Sequence, residues 1–246
     1  MSLKGYRVAD EIELYSGGAA LVTSENVLVV ADMHLGCEAA LEYEGLSIPR
    51  VQTKKIEEYM LRTIEQVSPR RLVVAGDLKH NFSRNLIQEW KDVSRFVARL
   101  RELVRIEVVK GNHDNYLGAI LSQYDIPLRK EATVGGIRII HGHTGNREKV
   151  PTIIGHVHPS IRIRDKVGAS LKDVCFLYDG GSEMLVLPAL SLVASGLDVV
   201  RCMDSDRASP LLPDTGLSTF VPVVFSNEKP LKFPSVAKLR EMNQLR

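Results

Sequence analysis

Five short runs, NVLVVAD, RRLVVAGD, RIEVVKGNHD, GIRIIHGH and TIIGHVH, each pass directly from Val, Ile and Leu to Asp, Asn or His. Each has the length of a buried strand and is bounded by Gly, Pro, Asn or Asp, as expected of a sheet covered on both faces. Five buried strands that all end in side chains able to bind a ligand are reconciled only if those ends meet at one sheet edge. In the last run, His156 and His158 stand two residues apart, a spacing that projects both imidazoles to the same side of an extended chain.

Helical patterns separate the first three runs. One spans Pro49 to Val67, and the other spans roughly Leu86 to Leu103, where Trp90, Val93, Phe96, Val97 and Leu100 form an apolar stripe. A β-α-β-α-β order builds parallel strands and gathers ligands beyond their carboxyl ends. After about Leu128 the texture changes to shorter strands, with turns expected at Gly135-Gly136 and at Asp179-Gly180-Gly181. The expected architecture is therefore an α/β (α+β) four-layer α/β/β/α sandwich, two mixed sheets flanked by helices. We expect a single domain over residues 1–246, with an accessory C-terminal segment at about 189–246 that closes in a basic helix from Val236 to Arg246.

Composition narrows the function classes. With 246 residues, 44% hydrophobic and 25% charged, the chain can bury a sizeable core. A net charge of +2 does not announce nucleic acid by itself. The basic pairs Lys54/Lys55, Arg70/Arg71, Arg129/Lys130 and Arg162/Arg164 are scattered, as on a solvated face. Cys37, Cys175 and Cys202 lack the C-x-x-C spacing of a zinc ribbon or redox pair, which fits a reducing compartment. No secretory leader or membrane-spanning apolar stretch is evident, so a cytoplasmic location with no membrane partner is expected.

The runs deliver Asp32 and His34, then Asp77, then Asn112 and His113, then His141, then His156 and His158. All seven histidines fall between residues 34 and 158, at or just beyond strand ends. A ligand set of carboxylate, amide and imidazole with no thiolate suits Mn, Fe, Zn or a similar divalent ion better than calcium or an iron-sulfur cluster. There are too many candidates for one tetrahedral site. Two ions sharing a carboxylate would use them all, and ion pairs about 3.5–4 Å apart recur in phosphoester hydrolysis.

The motifs D-x-H in ADMHLG, G-D in AGDLKHN, G-N-H-D in KGNHDN, the histidine of IIHGH and G-H-x-H in IGHVHP occur in this order. As a set they strongly resemble the calcineurin-like metallophosphoesterase superfamily. The resemblance implies a first metal held by Asp32, His34, Asp77 and His158. A second would be held by Asp77, Asn112, His141 and His156, with Asp77 bridging. It implies Mn2+ first, with Fe, Zn, Ni or Co as alternatives, and a water activated between the ions. It gives His113 no metal, places it at the leaving group, and makes Asp114 the residue that orients its ring.

Weaker expectations attach to His143 as a further ligand, to His80 and Asn81 as pocket lining, and to Glu38 as a helix cap. The longer strings ADMHLGCE, GDLKHN, GHVHP and LVLPALSLVASGLDV are similar to archaeal SbcD-related proteins and to phosphoesterases associated with bacterial DNA ligase and helicase genes. That similarity implies a phosphodiesterase or nuclease acting on DNA or RNA. The other reading is a small-molecule or nucleotide phosphatase, or a cyclic-nucleotide phosphodiesterase, on the same site. The DNA-capping and ATPase-binding segments of full-length SbcD-type nucleases are not expected in this chain, which argues against a double-strand-break partner. A non-catalytic scaffold is disfavoured, because every ligand position is filled.

Overall fold

The computed structural model describes residues 4–46, 48–83, 86–164, 170–194, 196–202 and 208–244. The first sheet runs in sequence order through β1 (Tyr6–Ala9), β2 (Ile12–Tyr15), β3 (Ala19–Val22), β4 (Val27–Val30), β5 (Arg71–Ala75), β6 (Arg105–Val109) and β7 (Leu128–Arg129). Strands β1 to β4 are antiparallel, and β4 to β7 are parallel. The parallel crossovers carry α1 (Cys37–Tyr43) and α2 (Gln52–Val67), then α3 (Ile87–Arg101), then the short α4 (Leu117–Leu121).

The second sheet is built from β8 (Glu131–Val134), β9 (Ile137–Ile140), β10 (Thr152–Ile154), β13 (Phe176–Asp179), β14 (Met184–Val186), β16 (Val221–Ser226) and β17 (Lys229–Lys232). Its spatial order is β17-β16-β13-β14-β10-β9-β8, with β9, β10 and β14 parallel. A small third sheet joins β11 (Pro159–Arg164), β12 (Ser170–Val174) and β15 (Leu197–Asp198).

Three apolar clusters account for the layering. Ile56, Met60 and Ile64 of α2 recur every fourth residue, and together with Val93, Phe96, Val97 and Leu100 of α3 they cover Leu28, Val30, Leu72 and Val74 of the first sheet. Fully burying a side chain such as Phe96 contributes about 1.5–3 kcal/mol. The opposite face of that sheet, including Val29, Val73 and Val109, packs on Ile139, Ile153, Phe176 and Leu185 of the second. The β4–β6 runs are mostly apolar because both of their faces are buried, departing only at Arg71, Arg105 and Glu107.

The outer face of the second sheet, with Ile154, Leu177 and Val186, is covered differently. Val157 and Ile161 from the third sheet's side, Leu211, Leu217 and Phe220 from loops, and Val236 of α5 (Val236–Gln244) share that cover. The layer order is the one expected, two mixed sheets with flanking helices. Among the described residues, the fourth layer holds α5 beside strands and loops. Leu245 and Arg246, which the sequence placed in that helix, lie outside the described residues.

Both expected turns are present. Val134 pairs with Ile137 across Gly135 and Gly136, whose φ values of 55° and 77° meet the requirement of a two-residue hairpin turn for positive φ. The turn after Asp179 joins β13 to β14. The basic residues Lys54, Arg71, Arg129 and Arg162 each pair with a carboxylate, and the Arg164 side chain lies outside the described ones.

Candidate metal centre

The strands that end in candidate ligands are parallel within each sheet: β4, β5 and β6 in the first, β9 and β10 in the second. Their carboxyl ends meet at one edge of the sandwich. Asp32 and Asp77, both buried, face His34, His113, His141 and His158 there. His141 Nε2 lies 2.9 Å from Asp32 Oδ1 and 3.6 Å from Asp77 Oδ2. His158 Nε2 lies 3.3 Å from Asp32 Oδ1 and 3.4 Å from His34 Nε2, which is itself 3.9 Å from Asp77 Oδ2. The His156 ring stands 5.0 Å from that of His141.

Backbone geometry places these groups. Asp32, His34, Asp77, His156 and His158 all have positive φ, between 47° and 66°. Single non-glycine residues in this region are uncommon, and they persist where surrounding bonds over-determine them. Here those bonds are visible. Asp32 N–H donates to Gly76 O at 3.0 Å and His34 N–H to Asp77 O at 2.9 Å, which ties the two carboxylate loops together. His156 N–H donates to Asp32 Oδ2 at 2.8 Å, and His113 N–H to Asp77 Oδ1 at 2.8 Å.

The motif glycines follow from the same crowding. A Cβ on Gly111 would overlap the carboxylate and backbone nitrogen of Asp77. One on Gly155 would come within 2.7 Å of Asp32 Oδ2. Gly111→Ala is therefore expected to lose about 1–3 kcal/mol of stability, together with its capacity for divalent ions. Chemical denaturation and metal analysis check this, and an unchanged ion content would contradict it.

Two sets of groups could each hold a divalent ion, because their ligand atoms lie within 4.8 Å of one another: Asp32, His34 and His158, and Asp32, Asp77 and His141. His34, His80 and His113 form a third such group. Asn112 Oδ1 is buried without a hydrogen-bond partner, as expected of an amide oxygen kept for a cation. His141 stands between both carboxylates, at the boundary between the two ligand sets that the resemblance implied. His143 falls in none of these groups; its Nδ1 is 3.0 Å from His141 Nδ1.

The electrostatics divide the histidines. Burial pushes His34 down to about 3, aided by repulsion from His158, His113 and His80 and opposed by Asp32. Burial and neighbouring histidines take His156 to about 4, and burial with His113 and Lys79 takes His80 to about 4. These rings are neutral near pH 7, the form that ligates metal. Burial also opposes charge on His141 and His158, but the Asp32 carboxylate outweighs it and raises both. Burial works against ionised Asp32 too, yet hydrogen bonds from His141 and His158 hold it below the usual carboxylate range.

His80 gives a signed prediction. Below about pH 6.5 the unfolded chain protonates this ring, whereas the folded chain resists until about pH 4, so His80 costs stability as pH falls through that window. His80→Asn is expected to gain on wild type between pH 6.5 and 4 in chelator-treated protein. Parallel denaturation profiles for the two proteins would contradict it.

The structure redirects two sequence expectations. The Asp114 carboxylate, expected to orient the His113 ring, accepts backbone N–H groups instead: Asp77 at 2.8 Å, Gly111 at 2.8 Å and Lys79 at 3.3 Å. It shapes the loops under the ligands, and burial beside Asp77 raises it to about 6. The His113 ring is held instead by the His80 carbonyl, which contacts its Nδ1. That leaves His113 Nε2, 3.9 Å from Asp77 Oδ2, facing the cluster. Glu38 does cap a helix, but the one that follows: its Oε1 accepts Gln52 N–H at 2.6 Å, at the start of α2.

Other supporting residues were not anticipated. Buried Gln52 donates to His34 O at 2.9 Å, and its Oε1 accepts from Ser191 Oγ, Leu192 N–H and Val193 N–H at 3.0–3.2 Å. Glu89 accepts the N–H groups of His80 and Asn81 at 3.0 and 2.6 Å and lies 3.6 Å from buried Lys79. Both occupy positions on otherwise apolar helix stripes, Gln52 four before Ile56 and Glu89 four before Val93. A polar residue on a core stripe was the available signal.

A profile of the calcineurin-like phosphoesterases matches residues 25–173, more than half of the chain. The chain belongs to this family. As a calcineurin-like phosphoesterase it is a metal-dependent hydrolase of phosphoesters. A solved structure of nuclease MPE from Pseudomonas putida superimposes with a TM-score of 0.66 at 17% identity, over 91% of this chain and 96% of that one, and shows a shared fold. Yfce, a phosphoesterase from E. coli, gives a TM-score of 0.40 at 17% identity, over 70% of this chain and 83% of that one. No curated protein matches by direct sequence comparison. The phosphoesterase match includes all seven candidate ligands, from Asp32 to His158. Among the described residues, no helix of this phosphoesterase is long and apolar enough to cross a membrane.

Proposed function

We propose that this phosphoesterase is a dinuclear enzyme that hydrolyses phosphodiester bonds, with nucleic acid as its substrate class. The observation that carries the two-ion reading is the meeting of buried Asp32 and Asp77 with His34, His141 and His158 at one edge, beside the partnerless Asn112 Oδ1. Asp32, His34, Asp77 and His158 would hold one ion, and Asp77, Asn112, His141 and His156 the other. Mn2+ fits this oxygen and nitrogen donor set well. When bound, two such ions acidify a water and offset the charge that develops on a phosphoryl oxygen.

The chain's own groups do the rest. His113, fixed through Nδ1 by the His80 carbonyl, presents Nε2 to the reacting edge. From there, as an imidazolium carrying a hydrogen on each nitrogen, it can give a proton to the leaving oxygen or hold a phosphoryl oxygen by a hydrogen bond. Asp114 and Gln52 keep the ligand loops in place. His80, Asn81 and exposed Phe82 lie on the loop beside His113, where they would meet the leaving side of a substrate.

The nucleic-acid reading rests on the similarity to SbcD-related and ligase-associated phosphoesterases and on the fold shared with a nuclease. Hydrolysis of bis-p-nitrophenyl phosphate against p-nitrophenyl phosphate, and of an oligonucleotide, each with Mn2+ and with chelator, tests it. Activity confined to the monoester would overturn it in favour of a phosphatase. A cytoplasmic location is proposed on the cysteine usage alone.

A further inference from the structure

We propose that His143 is a positioning residue that fixes the tautomer and rotation of His141 without itself binding an ion. This inference rests on the dinuclear reading above. His141 Nε2 points into the carboxylate pair, 2.9 Å from Asp32 Oδ1 and 3.6 Å from Asp77 Oδ2. A ring nitrogen that coordinates a cation must offer its lone pair, so the proton of neutral His141 must sit on Nδ1. That Nδ1 is 3.0 Å from His143 Nδ1, and only one of the two nitrogens can carry the hydrogen between them. His141 is therefore the donor and His143 Nδ1 the acceptor, which leaves the His143 proton on Nε2.

The backbone between the two rings enforces the meeting. Residues i and i+2 of a strand share a side, but β9 ends at Ile140, and Gly142 takes φ 106°, a value open to glycine. Gly142 O accepts Ser209 Oγ–H at 2.6 Å, and Gly155 N–H donates to His141 O at 3.0 Å, which pins the turn on both sides. The rings then lie 5.1 Å apart and tilted by 51°.

Metal-binding histidines usually give their second N–H to a carboxylate, a carbonyl or water. A neutral imidazole in that role adds no negative charge. The two buried carboxylates Asp32 and Asp77 thus stay outnumbered by the charge of two divalent ions, which favours an anionic phosphoester.

Metal binding itself tests this. Asn places a side-chain oxygen near the position of Nδ1, whereas Gln places one near Nε2. Isothermal titration with Mn2+ should show wild type and His143→Asn both taking up two ions with similar affinity. His143→Gln and His143→Ala should keep one ion unchanged and bind the other about 10–100-fold more weakly. In the Zn2+-loaded wild type, 15N spectra of the imidazoles should show His141 protonated on Nδ1. Equal affinities in all four proteins would overturn the proposal. So would loss of one whole ion in His143→Asn as well as in His143→Ala, since that pattern belongs to a direct ligand. Failure of the wild type to take up two ions would instead overturn the dinuclear reading on which the proposal stands.

Discussion

Asp77→Ala is expected to lower metal-dependent turnover by at least about 10³-fold, more than loss of any single histidine ligand. The variant should hold less than one tightly bound ion per chain. Asp77 Oδ2 is within 3.6–3.9 Å of His34, His113 and His141, while Oδ1 accepts the His113 N–H at 2.8 Å. One carboxylate thus faces ligands of both sets and also anchors the loop that carries His113. Its removal takes away charge needed by both ions and releases a buried N–H. Metal analysis of the purified variant decides the matter: two tightly retained ions would refute the bridging role whatever the kinetics.

His113→Gln separates metal binding from chemistry. Two ions should remain, and turnover on a substrate with an alkoxide leaving group, such as a nucleic acid, should fall by about 10² to 10⁴. A p-nitrophenyl ester should lose much less, because that phenol departs without a proton. Equal losses on both substrates would leave phosphate positioning as the role of His113, and loss of an ion would reassign it as a ligand. The structure makes the two results distinguishable. Nδ1 is committed to the His80 carbonyl, so only Nε2 can serve substrate or metal.

The sequence exposed this site because its chemistry is written locally. A β-branched run that ends in Asp, Asn or His carries both the strand and the ligand, and five repetitions identify the edge where they meet. The crossovers were legible for a similar reason: the stripes of α2 and α3 recur at helical spacing over four turns. Strands β1, β2 and β3 are as short as β4, β9 and β10 but lead into no candidate ligand, which is why they went unread. VPVVFS was hidden by its proline: Pro222 is the second residue of β16, lies opposite Leu177, and its carbonyl still accepts the Phe233 N–H. Asp114 and Glu38 were read with neighbours close in sequence, but their partners are set by tertiary packing. Asp114 caps N–H groups from two loops, and Glu38 reaches a residue fourteen positions away.

The ligands divide by origin: Asp32, His34, Asp77 and Asn112 follow strands of the first sheet, and His141, His156 and His158 follow strands of the second. The contacts of Asp32 with His141 and His158 therefore cross the sandwich and form a charged seam that closes its open edge. Deleting one member of a buried pair strands the other, at a cost of about 3–5 kcal/mol, while replacing both with well-packed apolar groups can be neutral. A descendant of this chain that gave up hydrolysis could not shed its ligands one at a time without loosening the sandwich. It would have to exchange them in matched sets across the two sheets, so relics of the metal centre should outlast its activity.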